Sequence, residues 1–225
     1  MANDQEKEAA ARASLQFIKD GQVVGLGTGS TASYFIKLLA EQVRNGLRIR
    51  GIPTSLRSRD MAQNLGIPLT TLDECQEIAV TVDGADEVDP KLRLIKGGGG
   101  AMLREKIVAS ATKQLVIIAD ASKQVPVLGK FPLPVEVIPF AQALVAKRIA
   151  ALGAEVRLRT GTDGKPFLSD EHNHILDCRF GAIRDAEGLA RQLSDMPGVV
   201  EHGLFIGMAR VALFARGSEI VELRR

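Results

Sequence analysis

Cysteine is nearly missing from this chain. Of 225 residues only Cys75 and Cys178 carry thiols. They lie far apart and form no C-x-x-C pair, so neither a disulfide framework nor a zinc knuckle is indicated, and a reducing compartment fits. An excess of one charge is also missing: 29 basic against 27 acidic side chains leave a net +2, which gives no general attraction to nucleic acid or to an anionic membrane. The one basic concentration is RIRGIPTSLRSR, residues 48–59, with Arg44 just before it. It reads as a solvated face, a partner surface or a phosphate contact. No apolar run approaches the roughly 18 residues that span a bilayer, and the opening MANDQEKEAAARASLQF is charged where a secretory signal needs an apolar core. A cytoplasmic protein without nucleic-acid or membrane partners is expected.

What is present is enough apolar sequence for a large core, 45% hydrophobic against 25% charged residues, in one or two domains. Asn3 with Glu6 suggests a capping box for a first helix that Gly21 stops. Then QVVGLG, LRIRGIP, IPLT, EIAVTV, LRLIK and QLVIIA read as strands, alternating with helices over TASYFIKLLAEQV, SRDMAQNLG and AMLREKIVASAT. That alternation predicts an α/β, Rossmann-like, mostly parallel sheet. Pro126, Pro132, Pro134 and Pro139 then cluster in a stretch unsuited to a central strand or a helix interior, and mark a domain boundary near residue 130. Beyond it comes strand VEVI, a helix, EVRLRT, then KPFLS or HILDCRF, a second helix and GVVEHGLF. This is the β-α-β-β-α-β order of a smaller ferredoxin-like α+β domain, expected over 131–204. A last hairpin, ARVALFA with EIVELRR, is expected to return to the first domain, which then comprises 1–130 plus 205–225.

Three loops sit where open α/β sheets bind ligands, at the carboxyl ends of strands. GLGTGST offers Thr28, Gly29, Ser30 and Thr31 at a helix start, a place that favours an anion. Position 30 is Ser rather than Gly and residues 45–59 hold no acid, which excludes the dinucleotide fingerprint; no Gly-Lys-Ser/Thr follows, which excludes a P-loop. Phosphate in a small hydroxyl-lined pocket, or a plain tight connection, remains. VDGADEVD packs four carboxylates, Asp83, Asp86, Glu87 and Asp89, around the small Gly84 and Ala85. The D-x-D-x-D-G calcium order is absent; magnesium, a sugar rich in hydroxyls and a solvated turn stay open. LIKGGGGAMLREK ends a strand at Lys96 and gives close backbone access through Gly97, Gly98, Gly99 and Gly100 before a helix bearing Glu105. Four glycines cost conformational entropy and do not serve stability. Glu105 reads either as a functional acid or as an exposed residue paired with Arg104 or Lys106.

Taken together and in order, GLGTGSTA, TVDGADEVD, LIKGGGGAMLREKI, IADASKQV and LGKFPLPVEVIPFA closely resemble the type A ribose-5-phosphate isomerases, and the likeness runs over nearly the whole chain. The resemblance implies interconversion of ribose 5-phosphate and ribulose 5-phosphate, without cofactor or metal, by a homodimer or homotetramer. Carried over by residue, it makes Glu105 the base, sets Asp83, Asp86 and Lys96 around the sugar, and places residues 28–31 and Lys123 in the substrate pocket with Lys7 near the phosphate. Two stretches depart from the family pattern: IPTSLRSRD, and SDEHNHILDC with its two histidines.

The chemistry matches these residue types. Moving a carbonyl from C1 to C2 takes a proton from C2 through an enediolate and returns it to C1, which one carboxylate can do. Such a base needs its proton affinity raised by burial, for which Met102 and Ile107 are the apolar neighbours, while the helix N-terminus opposes the rise. Lys96 and glycine N–H groups can stabilise the enediolate oxygen, and Asp83 and Asp86 can accept bonds from sugar hydroxyls, orient the open-chain form and shuttle a hydroxyl proton, which makes Asp83 a catalytic candidate beside Glu105 and Lys96. Two other readings stand beside this one. His172 and His174 with Asp170 and Glu171 would make a metal-dependent isomerase if they were ligands rather than a polar hairpin tip. A sugar-phosphate sensor domain would bind the same ligand without needing a base at 105.

Overall fold

The computed structural model describes residues 2–217 and 219–225, with side chains from Asp4 onward. Helix α1 (Ala2–Ser14) leads through a single 3-10 turn into β1 (Val23–Leu26), α2 (Ser30–Arg44), β2 (Arg50–Pro53), α3 (Leu56–Asn64) and β3 (Ile78–Asp83). Two short strands follow, β4 (Glu87–Val88) and β5 (Leu94–Ile95), then α4 (Met102–Ser110) and β6 (Thr112–Asp120). The next segment holds β7 (Leu133–Val137), α5 (Gln142–Ala151), β8 (Glu155–Leu158), β9 (His174–Arg179), α6 (Ala186–Ser194), β10 (Val199–His202) and β11 (Leu204–Phe205). Strands β12 (Ala209–Arg216) and β13 (Glu219–Arg224) close the chain as a hairpin.

Six strands form the largest sheet in the order β13-β12-β6-β3-β1-β2. All neighbours are parallel except the β12–β13 pair. The near-continuous apolar runs of β3 and β6 explain this arrangement, because parallel strands are covered on both faces. Val80, Val116 and Ile118 pack with Phe35 and Leu39 of α2 and Ala10 of α1, whereas Leu115 and Ile117 pack with Leu94, Phe205 and Phe214. Because β1, β3 and β6 run in one direction, their carboxyl ends bring three loops to the same edge.

The second sheet is antiparallel throughout, in the order β10-β7-β9-β8 expected of a ferredoxin-like unit, and its apolar residues pack with Val145 and Ile149 of α5 and Leu193 of α6. A third, small sheet, β11-β5-β4, ties the two together.

Several local expectations differ from what is seen. Pro134 lies inside β7, and β7 is an interior strand of its sheet, contrary to the reading of the proline-rich stretch. The missing N–H does no harm there. The Pro134 carbonyl accepts from the Gly203 N–H at 2.8 Å, while the Gly203 carbonyl, which a non-proline residue would have engaged, accepts from the Lys96 N–H at 2.9 Å. IPLT contributes one bridge, Gly51 with Leu69, and KPFLS only isolated bridges, so HILDCRF supplies the strand. GVVEHGLF is split at Gly203 into β10 and β11. Helix α1 already includes Asn3, whose side chain lies outside the described residues, and Glu6 accepts from the Gly217 N–H at 2.8 Å instead of completing a cap.

Candidate active site

The loops after β1, β3 and β6 close around one polar cavity of about 200 Å³ together with the glycine run, which follows β5 of the small antiparallel sheet and not, as expected, a strand of the parallel one. That is below the roughly 300–1,000 Å³ of sites for drug-sized ligands and suits a small polar metabolite. Residues 28–31, 84–86 and 96–99, together with Glu105, Lys123 and Lys7, form its wall. Asp120 and Ser122 line it as well; sequence reasoning passed over both, although Asp120 ends β6 and Ser122 follows it, by the same strand-end rule as the loops after β1 and β3. Asp120 accepts from the Ser122 N–H at 3.0 Å and from its hydroxyl, which shapes the turn that carries Lys123.

Asp83 is expected at the sugar hydroxyls and is already engaged by the protein. It sits beneath the cavity, 1% exposed, and its oxygens are taken by the protein. Oδ1 accepts from the Thr28 N–H at 3.0 Å and the Gly84 N–H at 2.7 Å; Oδ2 lies 2.9 Å from Lys96 Nζ. Gly27 makes room for this: a Cβ there would stand 2.3 Å from Asp83 Oδ1. Asp86 stays at the wall and accepts from the Gly98 N–H at 2.8 Å. The other two acids of the cluster are used elsewhere. Glu87 accepts from the N–H groups of Gly129 and Phe131, and Asp89 holds Arg93 and the turn before it.

Lys96 is 2% exposed and gathers the site: its ammonium donates to the Gly84 carbonyl, pairs with Asp83 and reaches Glu105 Oε1 at 3.3 Å. Burial opposes its charge, but Asp83, Glu105 and Asp86 together outweigh that and push its pKa up to about 12, so it is a fixed cation. Glu105 is 5% exposed, and its Oε2 finds no hydrogen-bond partner among the described residues. Its flanking residues turn away: Arg104 pairs with Glu171, and Lys106 with Glu201 and the His202 carbonyl. Met102 is buried, but Ile107 is 45% exposed and shields nothing, since residues two apart on a helix do not share a face.

Burial is the largest influence on Glu105; Lys96 works against it, Asp83 and Asp86 add to it, and the pKa is pushed up to about 8. A base acts only when deprotonated, so kcat/KM is expected to rise with pH and level off above about 8, as a pH–rate profile will show. The same shift sets a stability trend. Folded Glu105 holds its proton more tightly than the unfolded chain does, so its stabilisation is complete below the ordinary value of 4.5 and is lost as pH rises through about 8. Glu105→Gln carries no such dependence, so its Tm should gain on the parent's as pH rises from about 4.5 to about 8; a pH-independent difference would contradict the raised pKa.

Thr28 turns its hydroxyl toward Thr54 at 2.7 Å and Ser55 at 2.8 Å, leaving Ser30 and Thr31 as the hydroxyls at the start of α2. Thr54 and Ser55 belong to the arginine-rich stretch, whose arginines do not line the cavity: Arg48 pairs with Asp20 and Arg59 with Asp60. The tip 169–173 is a docking loop. Asp170 accepts from the Leu56 N–H at 2.8 Å at the start of α3, and Glu171 pairs with Arg104.

A family model described as ribose 5-phosphate isomerase A (phosphoriboisomerase A) matches residues 50–219. This chain belongs to that family. Ribose-5-phosphate isomerase A of Parvibaculum lavamentivorans is 52% identical over 98% of this chain and 99% of its own. The Rhodopseudomonas palustris (strain HaA2) relative of the same name is 54% identical over 99% and 98%. Among solved structures, ribose 5-phosphate isomerase A of Methanocaldococcus jannaschii matches with a TM-score of 0.93 at 40% identity, covering 97% of this chain and 98% of that one. A D-ribose-5-phosphate isomerase in complex with phospho-erythronic acid matches with a TM-score of 0.97 at 39% identity, covering 100% of both chains.

Proposed function

We propose that this chain interconverts D-ribose 5-phosphate and D-ribulose 5-phosphate, with Glu105 as the base that carries hydrogen between C2 and C1. The observation that supports the base is a buried carboxylate oxygen, Glu105 Oε2, without a hydrogen-bond partner among the described residues, at the wall of a polar cavity and beside a fixed cation. Glu105 takes the C2 proton, the C2–H electron pair forms the C1=C2 bond, and the carbonyl pair moves onto O1. Lys96 stabilises that developing charge, an effect worth about 3 to 4 kcal/mol per preorganised donor. The O2 hydroxyl then releases its proton, with Asp86 as the carboxylate at hand to pass it toward O1. C2=O forms, and Glu105 returns its proton to C1.

Asp83 holds Lys96 and the Thr28 turn from below. Ser30 and Thr31 at the start of α2, with Lys123 and Lys7, take the phosphate. Lys96 supplies the positive charge that the enediolate needs, so the scheme calls for no cofactor or metal. Phospho-erythronic acid, held by the related isomerase structure, joins a phosphate to a carboxylate whose two oxygens mimic an enediolate, which fits this division of the cavity. The same reading takes 1–130 with 205–225 as the catalytic domain and 131–204 as the smaller one, in a cytoplasmic homodimer or homotetramer. Among the described residues no helix is long and apolar enough to cross a membrane.

NMR of the protein with ribose 5-phosphate in D2O containing EDTA tests the scheme. Ribulose 5-phosphate carrying deuterium, undiminished by EDTA, is the expected result; tight binding without exchange would mean a sensor. For the phosphate end, Lys123→Ala and Thr31→Ala should each raise KM for ribose 5-phosphate ~10-fold or more with less change in kcat, since a hydrogen bond to a charged group contributes about 1.5–3 kcal/mol. Equal effects on unphosphorylated ribose would count against that role.

A further inference from the structure

A run of four glycines has no side chains to hold its peptide planes, yet three of these glycines line the cavity. Two of their carbonyls share one partner from the second sheet. Arg159, the residue after β8, donates from Nη1 to the Gly97 carbonyl at 2.9 Å and to the Gly98 carbonyl at 3.1 Å. Its Nε, at 3.0 Å, and its Nη2 donate to the carboxylate of Asp177 in β9. The guanidinium carbon lies 5.9 Å from the centre of the Phe167 ring, and the side chain is 13% exposed. Neither Arg159 nor Asp177 lines the cavity, so both carbonyls are drawn toward a group outside it.

No peptide bond among the described residues is cis, and in a trans peptide the N–H points opposite to the C=O. The Gly98 N–H, which shares a plane with the Gly97 carbonyl, accordingly reaches the other way to Asp86 at the cavity wall. The Gly99 N–H shares a plane with the Gly98 carbonyl and is turned in the same sense by the same cation. The Gly100 N–H closes the turn onto the Gly97 carbonyl at 3.0 Å.

We propose that Arg159, held by Asp177, is a positioning residue for the isomerisation: it fixes two peptide planes so that the Gly99 N–H is presented to a substrate oxygen and Asp86 is kept at the wall. This rests on the reading of the cavity as the isomerase site. A lysine does not substitute, because an ammonium lacks the planar fork that holds a carboxylate with one edge while serving two carbonyls with the other end.

Steady-state kinetics of the full chain with ribose 5-phosphate tests this in Arg159→Ala and Arg159→Lys, with Glu105→Gln as a control. For Arg159→Ala, kcat should fall at least ~10-fold with KM within ~3-fold, as expected for a donor needed chiefly in the transition state, and added methylguanidinium should restore part of kcat. The proposal is overturned if kcat stays within ~3-fold of the parent, if the loss is carried by KM, or if methylguanidinium restores nothing. If Arg159→Ala does not fold, Arg159→Lys decides: a kcat at least ~3-fold below the parent's with KM within ~3-fold supports the clamp, and an unchanged kcat or a loss carried by KM overturns it. Full activity in Glu105→Gln would remove the site reading itself, whereas an inactive Glu105→Gln beside a fully active Arg159→Ala removes only the clamp.

Discussion

Glu105→Gln lowers kcat at least ~100-fold and abolishes exchange of the C2 hydrogen with solvent, while ribose 5-phosphate still binds; that is the expected result for a general base, whose contribution is typically 10²–10⁴-fold. The substitution suits the test because glutamine keeps the size of the side chain and an oxygen for the Lys96 ammonium, which stands 3.3 Å from Oε1. What it loses is the basic oxygen beside the cavity. Calorimetric titration with ribose 5-phosphate separates binding from turnover. A loss of only a few fold, or a loss of binding equal to the loss of turnover, would remove Glu105 as the base.

Lys96→Met should have the second largest effect, and on two quantities at once. Asp83 and Glu105 are both buried against this ammonium, and removing one partner of a buried ion pair costs about 3–5 kcal/mol because the remaining charge is left without compensation. Tm should therefore drop sharply. Turnover measured well below that Tm should fall by roughly 10²–10³, the effect of losing one preorganised donor to a developing oxyanion. Without the cation that holds it down, the Glu105 pKa rises further and the alkaline rise in activity moves to higher pH. A variant that matched the parent in Tm, turnover and pH profile would show that the ammonium does not perform the role its contacts suggest.

The parts of this site that could be read from sequence are those in which residue type and position in the fold coincide. Glycines, hydroxyls and acids directly behind the apolar runs of β1 and β3 point to a strand-end pocket, and both loops line it. Asp120 at the end of β6 and Ser122 just behind it fall under the same rule, but the acid–serine turn looks like an ordinary cap and carries no separate signal. Asp83 could be placed in the right loop, but not under it. Only the folded structure shows its oxygens already taken by two backbone N–H groups and Lys96. The direction of the Glu105 shift was equally out of reach, because burial, Lys96 and the helix terminus pull against one another and distance decides between them. Pro134 departs from the general rule because a missing N–H matters only if a carbonyl faces it without another donor. Here that carbonyl, of Gly203, serves Lys96. Arg159 and Asp177 gave no local pattern; what they do follows from two sheets meeting at the glycine run.

The small sheet of β4, β5 and β11 also bears on when the site comes into being. Strand β5 ends one residue before Lys96, its partner β11 is Leu204–Phe205, and the Lys96 N–H is bonded to Gly203. A chain released from the ribosome N-terminus first therefore exposes Lys96 long before that lysine has a strand to lean on. Strand β12, which flanks β6 in the main sheet, emerges later still. Contacts that span so much sequence form slowly, since a long loop must close before they are rewarded. The buried Lys96 with its carboxylates is thus among the last things to assemble, and the nascent chain has no working pocket until nearly all of it has been made.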